Sequence, residues 1–141
     1  MKLREQHPVL KGLCLALVQV LTANASDWPQ WRGPNRNGAW NESGLLDSFA
    51  TGKPQLRWSI PVGWGWSSPV VFRGRVFITC SRIEDATGEE QIFCIEAKTG
   101  RKIWSYSYDA GFPDYVFKPG QERGPASTPV ISEGKILEGF G

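Results

Sequence analysis

The sequence predicts an all-β chain built from antiparallel four-stranded meander units. Three observations carry that expectation: seven short runs rich in β-branched and aromatic residues, glycine-bearing turns between them, and an internal repeat with an interval of 60 residues. No window sustains the 3.6-residue apolar period of an amphipathic helix. The chain has 141 residues, 40% hydrophobic and 12% aromatic, enough for one ordinary domain and outside the compositions of disordered or collagen-like chains.

Residues 1–25 read as a secretory signal peptide. Lys2, Arg4 and Lys11 precede "GLCLALVQVLTA", an uncharged run followed by small residues around Ala23 and Ala25. That run is shorter than the roughly 20 apolar residues of a membrane-spanning helix, so no transmembrane segment is expected. Leu13 before Cys14, early in the run, argues against a lipid anchor there. The mature protein is therefore expected outside the cytoplasm, periplasmic or at the cell surface.

Residues 26–55 form an N-terminal segment containing "DWPQWRGPNRNGAW" (27–40), three tryptophans interleaved with Gly, Pro, Arg and Asn. Gly33-Pro34 and Asn37-Gly38 are turn signals, and Pro29 disfavours a helical Trp28. The segment is expected to fold back and lay its tryptophans on the β domain, with Arg32 and Arg36 either solvated or stacked on the rings.

Residues 56–141 carry the expected strands: "LRWSIPV" (56–62), "SPVVF" (68–72), "RVFITCS" (75–81), "QIFCIEA" (91–97), "KIWSYSY" (102–108), "TPVIS" (128–132) and "KILEG" (135–139). Arg73-Gly74 and Glu133-Gly134 mark tight hairpins, where glycine supplies a positive φ. Gly88 and Gly100 are expected to do the same for the next two connections. Such short connections cannot cross a sheet, which leaves an antiparallel meander. "SPVVFRGRVFI" and "TPVISEGKILE" align across the repeat: Pro69 with Pro129, Val70 with Val130, Gly74 with Gly134, Val76 with Ile136. One four-stranded unit, about 67–108, is thus complete; a lone strand precedes it and the first hairpin of another follows.

Composition excludes several functions. Without residues 1–25, Lys plus Arg falls from 16 to 13 and Asp plus Glu from 14 to 13, so the net charge drops from +2 to zero. No basic footprint for nucleic acid remains. The only histidine, His7, leaves with the leader, and with it any mechanism needing a histidine base or ligand. Cys80 and Cys94 are placed symmetrically about Thr87. A hairpin centred there would oppose them as a disulfide; a register shift would leave two separate core residues.

With "SPVV-x-x-G-x-V-F" followed by "IFCIEAKTGRKIW", the chain resembles the pyrroloquinoline-quinone-type (PQQ-type) β-propeller repeats, also found in the outer-membrane assembly factor BamB. "DWPQWRGPNRNG", "SGLL" and "LRW" resemble the N-terminal region of secreted bacterial members. The resemblance spans about residues 27–139 and implies a partial β-propeller: one complete blade and parts of two neighbours. Glu96 stands where the family usually has Asp, and residues 109–126 form a longer connection than a compact propeller needs. Each blade leaves an apolar face for its neighbour to cover, and propellers close with at least four blades. The chain is therefore expected to be an N-terminal fragment or a truncated reading frame of a propeller, with an assembled ring of short chains as the alternative.

The family name suggests a PQQ-dependent dehydrogenase. Those enzymes use an adjacent cysteine pair and a calcium site, but this chain has no Cys-Cys dipeptide and its carboxylates fall mainly at turns. No cofactor and no catalytic residue are expected in it. The tryptophans allow two readings. Trp58 and Trp104 occupy strand positions where the repeat uses Trp for packing between blades. Trp64 and Trp66, in "GWGWSS", alternate with glycine and could present one aromatic surface to a sugar or peptide. The function expected is a non-catalytic, secreted scaffold binding a protein or polymer. The alternatives are part of a PQQ-dependent dehydrogenase-like enzyme and a carbohydrate-binding module.

Overall fold

A computed structural model describes residues 26–84, 87–118, 120 and 124–139. The expected signal peptide, with His7 and Cys14, lies outside them. Among the described residues, six strands form in chain order: β1 (Val70–Phe72), β2 (Arg75–Glu84), β3 (Thr87–Glu96), β4 (Lys102–Asp109), β5 (Val130–Ser132) and β6 (Lys135–Leu137). β1–β4 make one antiparallel sheet in sequential order, and β5–β6 make a separate hairpin. The chain is all-β with antiparallel meander sheets, as its turn chemistry predicts. No helix among the described residues is long and apolar enough to cross a membrane.

The two repeat hairpins are equivalent. Arg73 and Gly74 have φ of 48° and 71°, and Glu133 and Gly134 have 49° and 74°. Two successive positive φ values give the turn whose twist matches the flanking strands. The β3–β4 connection also behaves as expected, with Gly100 at φ 75°. Glu96 serves that turn well despite its extra methylene. Its carboxylate accepts the Thr99 hydroxyl, and its carbonyl accepts the Gly100 N–H at 2.9 Å.

Two expectations fail locally. "LRWSIPV" forms no strand. Trp58 and Ile60 turn inward against the sheet while their neighbours face out, so the alternation is present without a ladder. The stretch is held instead by the Trp58 indole, whose Nε1 donates to the Ala97 carbonyl at 2.9 Å. Gly88 is not a turn residue. It sits within β3 opposite Ile83, and the Phe112 ring lies where a Cβ would project, 2.5 Å away.

The β2–β3 register decides which side chains share a face. The last pair is Glu84 with Thr87, so the hairpin is centred between residues 85 and 86 rather than on Thr87. Opposed residues in an antiparallel pair point the same way. One face therefore carries the cross-strand row Val70, Phe77, Cys94 and Trp104, then Thr79, Ile92 and Tyr106, then Ser81, Glu90 and Tyr108. The other carries Val76 with Ile95, Ile78 with Phe93, and Cys80 with Gln91. Ile103 is the additional residue at a bulge that shifts the β3–β4 register between Cys94 and Ile95.

Both faces are covered. The β5–β6 hairpin adds Ile131 and Ile136 to Val70, Phe72, Phe77 and Cys94 on the first face. Trp58 and Ile60 cover Cys80, Phe93, Ile95, Val76 and Ile78 on the second. Each aliphatic side chain fully buried this way contributes about 1.5–3 kcal/mol, which makes these two clusters the core.

The N-terminal segment ties the two hairpins together. Trp28 forms a reciprocal bridge with Val71 on the free edge of β1, at 2.7 and 2.9 Å. One residue later, the Pro29 carbonyl accepts the Ile131 N–H of β5 at 2.8 Å. The Asp27 carboxylate accepts the Arg73 N–H at 2.8 Å. Trp28 also stacks on Trp40 at 5.0 Å, above Gly33. Trp31 departs from the expected packing: it is exposed, with Arg32 over its ring at 5.7 Å. Arg36 instead donates from Nε to the Gln30 side chain.

Candidate functional site

The two cysteines are not paired. Cys80 opposes Gln91, Cys94 opposes Phe77, and the two thiols lie on opposite faces of the sheet. The disulfide expectation rested on a hairpin centred on Thr87. The observed centre is displaced by an odd number of half-steps, which puts one thiol through to the other side. Burial raises both thiol pKa values above the ordinary 9.0. A buried thiol of raised pKa is a poor nucleophile and packs as a small apolar residue.

Trp58 and Trp104 occupy different environments. Trp58 is half-buried, its ring over Gly100, where a Cβ would lie 2.7 Å from ring atoms. Trp104 sits on the outer strand β4, tilted over Phe77 at 6.1 Å and 37% exposed. It borders a cleft of 420 Å³ between the sheet and the β5–β6 hairpin, with Phe72, Phe77, Ile131 and Ile136 as its floor and Arg73 and Arg75 at its rim.

Trp64 and Trp66 are exposed, at 53% and 78%. The segment that carries them runs against β2. Trp64 bridges Ser81 of β2, at 2.9 and 2.7 Å, and a Cβ on Gly63 would meet the Ser81 carbonyl at 1.9 Å. Gly65 faces Thr79 and Pro125 at 3.5 Å, an ordinary contact distance. At Gly63 the backbone approaches β2 so closely that only glycine fits, whereas a Cβ at Gly65 would make ordinary contacts.

A polar cluster at the far end of the hairpin-covered face escapes any short motif. Glu90 is only 5% exposed, and the Tyr108 hydroxyl donates to its Oε2. Glu138, just past β6, reaches the same region. Both of its carboxylate oxygens and Thr79 Oγ1 are buried without a hydrogen bond of ordinary geometry, although hydroxyl and carboxylate face each other. Burial pushes the Glu138 carboxyl above its ordinary 4.5; Thr79 acts in the opposite direction and the Glu90 charge in the same one. Burial, the Glu90 hydrogen bond and the Glu138 charge together push the Tyr108 phenol well above its ordinary value. These residues are spread over β2, β3, β4 and the end of β6, so only the register assembles them. Their one legible trace is in the repeat, where Glu138 aligns with the apolar Ile78.

Among the described residues, no group of three or more His, Cys, Asp or Glu is arranged to hold a metal ion. No protein-family model, no curated protein and no solved structure matches this chain.

Proposed function

We propose that this chain is a non-catalytic scaffold of PQQ-type β-propeller repeats, exported from the cytoplasm, which binds a protein or polymer partner. The observation that carries this reading is the stacking of two equivalent hairpins 60 residues apart. Val70 and Ile131 share one core cluster, and the Ser68 N–H donates to the Thr128 hydroxyl at 3.1 Å. Repeats that cover one another's apolar faces form a rigid support with function on its outer surfaces. The inert thiols and the lack of any histidine after His7 favour a scaffold over an enzyme. The test is a dye-reduction assay of the purified chain with PQQ, calcium and primary alcohols. No turnover is expected; PQQ-dependent dye reduction overturns the proposal.

A second reading, a carbohydrate-binding module, draws on the exposure of Trp64 and Trp66. Exposed indoles stack on sugar faces. Oligosaccharide quenching of the tryptophan emission that disappears in Trp64→Ala and Trp66→Ala would favour it; emission insensitive to oligosaccharides rejects it.

A further inference from the structure

In the first repeat, Ile78 packs among the apolar residues of its sheet face. At the equivalent position of the second repeat stands Glu138, its two oxygens buried against the neighbouring sheet. A carboxyl group has thus replaced an aliphatic side chain at the contact between repeats. It lies beside a second buried acid, Glu90, and beside the Thr79 hydroxyl, itself 1% exposed and facing the carboxyl without a hydrogen bond of ordinary geometry.

We propose that Glu138 is a pH-sensitive latch between the two repeats: protonated, it holds the β5–β6 hairpin against the β1–β4 sheet, and ionised, it releases it. The groups facing Glu138 are Thr79 from β2, Glu90 from β3 and Tyr108 from β4, while Cys80 of β2 lies on the other face and feels only its charge. Among the described residues, the ion pairs join Arg82 to Glu84 and Glu89, and Arg101 to Glu96, so none serves Glu90 or Glu138. The hydroxyl of Tyr108 is committed to Glu90. Two acids buried together, with no ion pair to either among the described residues, cannot both carry charge cheaply, and Glu138, whose oxygens lack a hydrogen bond of ordinary geometry, keeps its proton.

Ionisation sends that proton to solvent and leaves an unsolvated carboxylate beside Glu90. Undocking the hairpin rehydrates it. The direction follows from the raised pKa of Glu138: its contribution to docking is complete below the ordinary 4.5 and is lost as pH rises through the folded-state value.

Cys94 and Cys80 supply the readout. Cys94 lies under Ile131 of β5, and Cys80 lies on the opposite face, so undocking exposes the first and leaves the second covered. The full chain is treated with 4,4′-dithiodipyridine, which reacts with thiols in acid, and labelling is mapped by mass spectrometry from pH 4 to 9. The Cys94-to-Cys80 rate ratio is expected to rise up to tenfold per pH unit through the release window. In Glu138→Gln it should stay low and flat. In Glu90→Gln, which removes the neighbouring charge, the midpoint should move to lower pH. A flat ratio in the unmodified chain, a joint rise of both cysteines, an unchanged rise in Glu138→Gln or an unmoved midpoint in Glu90→Gln each overturns the latch.

Discussion

The backbone N–H of Ser68 donates to the side-chain hydroxyl of Thr128, its own counterpart one repeat later, at 3.1 Å. The bond joins the segments leading into β1 and β5, next to the Val70–Ile131 contact. It anchors the second hairpin at its open end, the end that also carries Glu138.

Thr128→Ala removes the only acceptor described for that half-buried N–H. A loss of about 1 kcal/mol is expected, read as a lower midpoint in urea at an unchanged slope. Thr128→Ser keeps the hydroxyl and should recover most of it. Equal losses in both variants would assign the effect to the methyl group instead.

Gly33 has φ 78° and lies beneath Trp28, whose ring atoms would stand 2.5 Å from an added Cβ. Gly33→Ala meets both a left-handed backbone and a steric clash, so the Trp28–Trp40 stack must separate. A cost of at least about 1–2 kcal/mol is expected, with a change in tryptophan emission. Gly38, at φ 74° with open space around it, should show the backbone part alone in the same measurement.

Glu133 occupies the first positive-φ position of its hairpin turn, at 49°, and is exposed. Asparagine tolerates that conformation better than glutamate and makes the Asn-Gly pair preferred in such turns. Glu133→Asn should stabilise the chain by about 0.5–1 kcal/mol, observed as a raised melting temperature.

Tyr108 should resist ionisation in the folded protein. Of the three tyrosines, Tyr106 and Tyr115 are exposed, while the Tyr108 phenol is held up by burial and by Glu90. Its pKa is raised, so its stabilising contribution is complete below the ordinary 10.0 and is lost as pH climbs through the folded-state value. Absorbance at 295 nm should show one phenol titrating only with alkaline unfolding. Tyr108→Phe should abolish that late step and cost about 1–3 kcal/mol by orphaning Glu90.

Strand identity and turn position were legible wherever chemistry is local. Arg73-Gly74, Glu133-Gly134 and the Thr99-Gly100 turn need particular backbone angles, and short-range composition announces them. "LRWSIPV" misled because alternation reports which side chains turn inward and says nothing about a backbone partner. Gly88 misled because a glycine that admits an aromatic ring reads the same as one that turns the chain. Trp64 and Trp66 are both exposed, but alternation with glycine does not by itself say which way the two indoles point.

The sequence by itself determined the all-β class, the meander order and the repeat, because alternation, turn residues and a 60-residue interval are properties of neighbouring positions along the chain. The tertiary structure alone decided where the β2–β3 hairpin is centred. That choice sends Cys80 and Cys94 to opposite faces and gathers Thr79, Glu90, Tyr108 and Glu138 on one. The physical reason is the two-residue period of a strand: a shift of one position in pairing inverts the partners on each face, and no local propensity records it.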